Sequence, residues 1–247
     1  MEIPYGEPGA VALVNAIQQG DLDVIDTMLA EEGLAQARIR DGQGATRTLL
    51  HVVTDWPGYF PNGPEVVRLL IAAGADPSAA VTGMWHTETP LHWAASSDDS
   101  DVAVALIEGG ADVEIAGGSI AGGTALDDAV GYGCWHVARL LVERGAKVDA
   151  LWKAAGLGMI GRVKQLMAAE PPPTQEEIDH SFWQACHGGQ RRMAEYLLTC
   201  GADINAIPDH TTSTPLDAAP GPDTRREAVT NWLREHGAQT AEELSVG

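Results

Sequence analysis

Positively charged side chains are scarce in this sequence. Lysine and arginine together number 15 among 247 residues, against 35 aspartates and glutamates, which leaves a formal net charge of −20. A surface of this sign repels phosphate groups, so we expect the chain to bind neither nucleic acid nor an anionic membrane. An acidic surface also serves solubility alone, and the charge by itself therefore names no partner.

Features of secreted and membrane-spanning chains are missing as well. Cys134, Cys186 and Cys200 lack paired spacing, which favours free thiols in a reduced compartment. The opening residues, MEIPYGEPG, contain neither the basic nor the apolar segment of a signal peptide. No stretch approaches the ~20 apolar residues that a membrane span requires. The sequence therefore predicts a cytoplasmic protein.

Motifs that bind cofactors or metals are not found either. The glycine-rich stretch at 116–123 is not followed by Gly-Lys-Ser/Thr, so it does not predict a phosphate-binding loop. His86, Glu88 and His92 resemble a set of zinc ligands, but their order is not His-Glu-x-x-His. Pro90 also places the two histidines on different elements. We expect no cofactor and no metal.

The most regular pattern in the sequence lies between Trp85 and Asp112. Thr89 is a good helix N-cap, and Pro90 suits the first helical position. The short helix that follows has a face of small residues. A second, amphipathic helix ends at Gly109–Gly110, where a left-handed residue is favourable. This stretch predicts one helix–turn–helix unit.

The motif Thr-Pro-Leu-His-x-Ala-Ala at 89–95, followed by Gly-Ala-Asp at 110–112, resembles an ankyrin repeat. Because the pattern recurs, the resemblance implies an all-α ankyrin-repeat solenoid of about seven helix–turn–helix repeats in a single domain, 1–247. Each repeat buries its apolar side by stacking on its neighbours. The predicted repeats occupy about residues 9–45, 46–82, 83–116, 117–148, 149–178, 179–206 and 207–240.

Several repeats depart from the family pattern, repeats two and five most of all. Repeat two carries an insertion at 55–64, DWPGYFPNGP, in which prolines and glycines exclude helix although three residues are aromatic. Repeat five lacks a hairpin finger and ends in Pro171–Pro173, while Pro220 and Pro222 interrupt repeat seven. Irregular fingers around repeats two and three indicate a local pocket rather than a uniform binding surface.

The resemblance also implies which residues face the concave groove of the repeats. These are the positions after Ala-Ala and the finger tips, and here they carry aromatic and histidine side chains. Large amphipathic rings with few polar groups suit an organic ligand. In the alternative interpretation, the rings pack the loop onto the groove floor and leave no cavity. The predicted binding residues are Trp56, Tyr59, Phe60, Trp85, Ser96, Ser97 and Asp99, and the candidates for acid–base catalysis are His86, Asp55, His187 and Tyr132.

Two histidines have a structural interpretation instead. His51 and His92 stand where the ankyrin family uses a histidine to bridge neighbouring repeats through hydrogen bonds. The resemblance implies the same role here. Trp152 and Trp183 replace this histidine in repeats five and six, which predicts different packing there.

Two functions follow, and the sequence leaves both open, together with the question of whether the protein is an enzyme. One is an aromatic-lined pocket for a small organic ligand, with cofactor-free chemistry of a lyase or cyclase: dehydration, addition or cyclisation of a polyketide-like substrate. The chain is similar to bacterial stand-alone ankyrin proteins of natural-product pathways, among them a polyketide macrocyclase. The alternative is a protein–protein interaction module that uses the concave face without catalysis. We expect a monomer or a weak dimer.

Overall fold

A computed structural model describes residues 1–221 and 223–246. Contacts within the chain divide it into two units, Met1–Ala146 and Lys147–Gly247. The single domain spanning all predicted repeats stays a prediction. Pro222, which was expected to interrupt repeat seven, lies outside the described residues.

Helices in consecutive pairs form most of the first unit, as the predicted fold class requires. Three of them begin at threonine N-caps, which are Thr48, Thr89 and Thr124. The pairs α3–α4, α5–α6 and α7–α8 fall within the predicted repeats two, three and four. The helices are α1 (Pro8–Gln19), α2 (Leu22–Leu29), α3 (Leu49–Val53), α4 (Gly63–Ala72), α5 (Pro90–Ser96), α6 (Ser100–Glu108), α7 (Ala125–Gly131) and α8 (Trp135–Glu143).

The first unit also contains a three-stranded sheet that the sequence did not predict. Its strands are β1 (Glu2–Pro4), β2 (Arg38–Arg40) and β3 (Thr46–Thr48). β1 pairs with β2 in parallel, and β2 pairs with β3 in antiparallel orientation. Each strand has three residues, too few for an alternating pattern to stand out from a loop. The sheet is a local addition to a mostly helical fold.

Histidines tie successive repeats of this unit together. His51 Nδ1 lies 2.8 Å from the hydroxyl of Thr48, and Nε2 lies 3.1 Å from the carbonyl oxygen of Glu88 in the next repeat. His92 contacts the carbonyl of Gly123 in the same way, at 3.3 Å. Burial lowers the pKa of His51 to about 3, so its ring is neutral. The predicted bridging role of both histidines is confirmed.

Small residues allow the helices of repeat three to approach closely. Ala94 and Ala95 are fully buried on α5, and Leu106 is fully buried on α6. After α6 the chain turns at Gly110, whose φ of 98° is in the left-handed region. A side chain there would be strained, which is why the pattern requires glycine at this point. The predicted end of the second helix of this repeat is confirmed.

The second unit is built from further helices, and one of them crosses a predicted boundary between repeats. α11 (Gln175–His187) begins before residue 179, the predicted start of repeat six. Thr174 caps it by accepting a hydrogen bond from the Glu177 amide at 3.2 Å, and the Glu177 carboxylate accepts one from the Thr174 amide at 2.8 Å. The helices are α9 (Leu151–Gly156), α10 (Ile160–Met167), α11 (Gln175–His187), α12 (Arg191–Thr199), α13 (Pro215–Ala218), α14 (Thr224–Glu235) and α15 (Ala241–Val246).

Candidate functional site

A depression of about 350 Å³ opens on the surface of the first unit. The end of α3 and the inserted loop form one side, the finger before α5 forms another, and α5 itself and the finger before α7 complete it. Its volume lies at the lower end of the range for small-ligand pockets. The lining residues are Thr54, Asp55, Trp56, Trp85, His86, Glu88, Trp93, Ser96, Ser97, Ser119 and Tyr132.

Aromatic rings stand at the rim of this depression with much of their surface in water. Trp56 is 83 % exposed, Trp85 is 80 % exposed and Tyr132 is 52 % exposed. The Trp85 ring meets the His86 ring edge-on, with centroids 4.7 Å apart. Exposed indoles grouped around a concavity are costly for a monomer and typical of an interaction site.

Below the rim lies the carboxylate of Glu88, which is buried and connects three parts of the depression. Its Oε2 accepts a hydrogen bond from Trp93 Nε1 at 2.8 Å, and its Oε1 accepts one from the Ser119 amide at 3.0 Å. His86 Nδ1 lies 3.1 Å from Oε2, at ion-pair distance although not in hydrogen-bond geometry. Glu88 therefore fixes the finger of repeat four against α5.

A second buried carboxyl group, Asp128, lies behind the wall formed by Ser119 and Tyr132. Its Oδ1 accepts hydrogen bonds from the Ile120 amide at 2.8 Å and from the Ser119 hydroxyl at 3.3 Å. Its Oδ2 is buried and has no hydrogen-bond partner among the described residues. Burial, reinforced by the negative charge of Glu88, raises the Asp128 pKa to about 7.

The hydroxyl groups of the depression already donate their protons to the protein. Ser96 and Ser97 donate to carbonyl oxygens of α5, each at 3.0 Å. Thr54 donates to the carbonyl of Leu50 at 3.2 Å. These three oxygens can only accept further hydrogen bonds.

The same holds for Tyr132. Because the hydroxyl of Ser119 donates to Asp128, the Tyr132 hydroxyl is the donor in its 3.0 Å contact with Ser119 Oγ. The polar surface of the depression therefore consists largely of acceptors.

Asp55 adds an acidic group at the edge of the depression. Its Oδ2 accepts a hydrogen bond from Arg47 at 2.6 Å, and its Oδ1 accepts one from the Trp56 amide at 3.0 Å. This pair holds the start of the inserted loop against β3.

The structure brings seven of the predicted site residues together in this depression. Tyr59, Phe60 and Asp99 do not line it. The Tyr59 hydroxyl donates to the Asp98 carbonyl at 2.6 Å and its amide to Asp99 at 2.8 Å, so these contacts anchor the loop to repeat three. The residues brought together are Asp55, Trp56, Trp85, His86, Ser96, Ser97 and Tyr132. Their predicted roles in binding and catalysis stay predictions.

His187, the remaining predicted catalytic residue, belongs to the second unit. Its ring lies 5.1 Å from that of Trp183, centroid to centroid. Burial lowers the His187 pKa to about 4, so the imidazole is neutral near pH 7. Trp183 in turn donates to the Ser213 carbonyl at 2.9 Å.

Several residues of the depression were not predicted as part of a site. Thr54 and Trp93 lie at positions that the repeat pattern assigns to packing. Glu88 and Ser119 lie in fingers, where the pattern does not fix side-chain direction. Asp128 is the fourth residue of α7, and only its charge at an otherwise apolar position could have marked it.

A family model of ankyrin repeats, containing three copies, matches residues 59–151. Over these residues the chain is built from ankyrin repeats. The matched stretch contains every residue that lines the depression except Thr54, Asp55 and Trp56.

Curated relatives resemble this chain over part of their length. The B-cell lymphoma 3 protein homolog of Mus musculus is 30% identical over 204 residues, which is 81% of this chain and 38% of the relative. The B-cell lymphoma 3 protein of Homo sapiens is 32% identical over 149 residues, 59% of this chain and 31% of the relative. The chain thus spans about a third of the length of these two relatives.

Solved structures show the same fold. The ankyrin repeat domain of Bcl-3, described as a unique member of the IkappaB protein family, has a TM-score of 0.51 at 24% identity and covers 93% of this chain and 99% of that one. The human ASB11 ankyrin repeat domain has a TM-score of 0.50 at 18% identity and covers 88% and 95%. The ankyrin-repeat fold predicted from the sequence is confirmed.

None of the relatives named above is bacterial or a polyketide macrocyclase. The similarity to such a cyclase stays a prediction. Across residues 1–221 and 223–246, no three His, Cys, Asp or Glu side chains are grouped so as to hold a metal ion. In the same ranges, every helix is too short or too polar to cross a membrane.

Proposed function

We propose that this ankyrin-repeat chain is a protein-interaction module whose partner binds at the depression of the first unit, with Trp56 and Trp85 as anchors. The observation that carries the proposal is the exposure of these two indoles, 83 % and 80 %, at the rim of one concavity. Tryptophan is enriched among interface residues whose truncation costs most binding energy. The likeness to the ankyrin domain of Bcl-3, a member of the IkappaB protein family, supports a protein as the partner.

Selection of binding peptides tests this proposal. A random peptide library displayed on phage is selected against the wild-type protein, and the Kd of each selected peptide is measured by fluorescence polarisation. We expect a double variant, Trp56→Ala with Trp85→Ala, to weaken binding by at least ~10-fold, because each ring fills part of the contact. Tyr5→Ala removes another exposed ring of the same unit that does not line the depression, and it should leave Kd unchanged. Equal affinity for the wild type and the double variant would reject the proposal.

A second candidate function is binding and conversion of a small organic ligand. One observation favours it: Asp128, whose pKa is about 7, connects through Ser119 to the Tyr132 hydroxyl on the wall of the depression. A carboxyl group that titrates near neutral pH suits proton transfer.

The second candidate is tested by titrating apolar, polyoxygenated small molecules while tryptophan fluorescence is followed, with product analysis by mass spectrometry. We expect a saturable quench that Trp85→Ala abolishes and a product whose formation slows in Tyr132→Phe. Binding without a product would leave a ligand-binding module, and no quench from any compound would reject this candidate.

A further inference from the structure

The depression combines acidic groups with an absence of fixed positive charge. Asp55 and Glu88 line it, and of the described residues that line it none is lysine or arginine. The whole chain carries a formal charge of −20. Arg47 reaches Asp55, but its guanidinium is held in that ion pair at 2.6 Å and does not line the depression. Because Arg47 offsets the charge of Asp55, it is the Glu88 carboxylate, together with the overall charge of −20, that favours a cation here.

The hydrogen-bonding groups of the wall point to the same kind of ligand. Thr54, Ser96 and Ser97 offer only acceptor lone pairs, because their protons bond to carbonyl oxygens. Trp93 Nε1 and the Tyr132 hydroxyl also use their protons within the protein. A ligand group whose polar atoms are all hydrogen-bond donors fits such a wall.

Exposed indoles add a third preference. The faces of Trp56 and Trp85 are available to solvent at the rim. Indole is the best of the aromatic side chains at attracting a cation to its face, and a planar cation can also stack on it.

From these three observations we propose that the depression receives an arginine side chain of the protein partner. The guanidinium group is planar, always charged and carries five donors and no acceptor, which matches the indole faces, the carboxylates and the acceptor-only hydroxyls together. Lysine presents a more strongly hydrated, non-planar charge and matches fewer of these features. The inference rests on the proposed function, since it names the chemistry by which a partner would bind.

The experiment uses the side chain itself as the probe. The full-length protein is labelled with ¹⁵N, and the seven tryptophan indole N–H signals are followed in a titration with N-acetyl-arginine amide. N-acetyl-citrulline amide is the neutral, nearly isosteric control, and N-acetyl-lysine amide is the control for charge alone. Trp152 and Trp183 of the second unit serve as internal references.

We expect arginine amide to shift the indole signals of Trp56, Trp85 and Trp93 and to leave those of the reference tryptophans unchanged. Citrulline amide should bind at least ~10-fold more weakly, and lysine amide several-fold more weakly. Asp55→Asn, a conservative change on a surface loop, should weaken arginine binding about 5-fold. Tyr5→Ala should not change it.

Other outcomes overturn the inference. If citrulline amide caused the same shifts as arginine amide, the site would not recognise charge. If lysine amide caused the same shifts, the site would not recognise the planar guanidinium group. An absence of shifts at Trp56 and Trp85 would exclude an arginine site. The peptide selection separates this failure from that of the proposed function: peptides that depend on Trp56 and Trp85 but contain no arginine would leave the interaction module standing and reject the arginine site.

Discussion

Asp128 is a carboxyl group that the fold buries completely while leaving one of its oxygens without a hydrogen-bond partner among the described residues. Its neutral form is favoured, because a buried charge without compensation is expensive. The carboxyl nevertheless accepts bonds from Ser119 and Ile120 and so orders the finger of repeat four. One side chain thus sets both the shape of the wall and its response to pH.

The stability of the protein should fall as pH rises through the range set by Asp128. Its pKa is about 7 in the folded protein and 3.8 ordinarily. Between these values the unfolded chain releases a proton that the folded protein keeps, so folding loses up to about 1.4 kcal/mol per pH unit. Above pH 7 the loss is complete, and below pH 4 it is absent.

Asp128→Asn tests this directly. The amide keeps an acceptor for Ser119 and Ile120 but cannot ionise. We expect the free energy of unfolding of the variant, relative to the wild type, to increase by about 2–4 kcal/mol between pH 4.5 and pH 8. Urea unfolding at both pH values measures it, and Asp101→Asn, at an exposed position of α6, controls for the loss of one negative charge. A difference that does not change with pH would contradict the assignment.

At the scale of elements, Tyr59 ties the inserted loop of repeat two to repeat three. Tyr59 bonds through its hydroxyl to the Asp98 carbonyl and through its amide to Asp99, both in repeat three. The loop carries Trp56 to the rim of the depression. Fixing this loop before binding reduces the entropy that a partner must overcome.

Tyr59→Phe should therefore weaken peptide binding more than it affects folding. The variant loses the hydroxyl bond to Asp98 and keeps the ring. We expect Kd for a selected peptide to rise about 3-fold to 10-fold, with a change of no more than about 1 kcal/mol in unfolding free energy. Fluorescence polarisation and urea unfolding measure the two effects. Unchanged affinity would show that the hydroxyl does not position the loop.

The sequence was informative about elements where local chemistry decides the structure. Thr89, Pro90 and Gly110 mark the limits of repeat three because caps and left-handed turns need particular residues. The repeat pattern predicts too late a start for α11, because it does not include the capping box at Thr174. The three-residue strands could not be predicted, since pairing with distant segments, not local pattern, makes them strands.

The candidate site was predictable to the extent that its residues broke the family pattern. Trp56 and Trp85 stood out because they occupy positions where a soluble repeat would place polar residues. Glu88 and Ser119 could not be assigned, because finger side chains take their direction from tertiary contacts. The sequence does not distinguish Asp128 from an exposed polar residue of a helix. Its burial follows only from how the finger folds over it.

At the scale of the whole molecule, the excess of negative charge acts over distances longer than any single contact. A chain with a formal charge of −20 attracts cationic peptides before they touch the surface. This attraction is screened by salt, with a Debye length of about 10 Å at 0.1 M ionic strength. Charge should therefore govern how fast a partner arrives more than how long it stays.

Association of an arginine-containing peptide should accordingly slow with added salt. We expect the association rate constant to fall about 3-fold to 10-fold between 0.05 M and 0.5 M NaCl, with a smaller change in dissociation. Stopped-flow fluorescence measures both rates. The same peptide with citrulline in place of arginine is the control, and an equal salt effect on it would show that the arginine charge is not responsible.

Glu88 takes part both in the hydrogen bonds between repeats and in the wall of the depression. Its carbonyl oxygen lies 3.1 Å from His51 of repeat two, while its carboxylate bonds to Trp93 and to the finger of repeat four. We therefore expect a bound partner that restrains Glu88 to restrain the junctions on either side as well. Ligand binding at this surface should slow amide hydrogen exchange in three consecutive repeats. The exchange rates of these repeats would then report whether the depression is occupied.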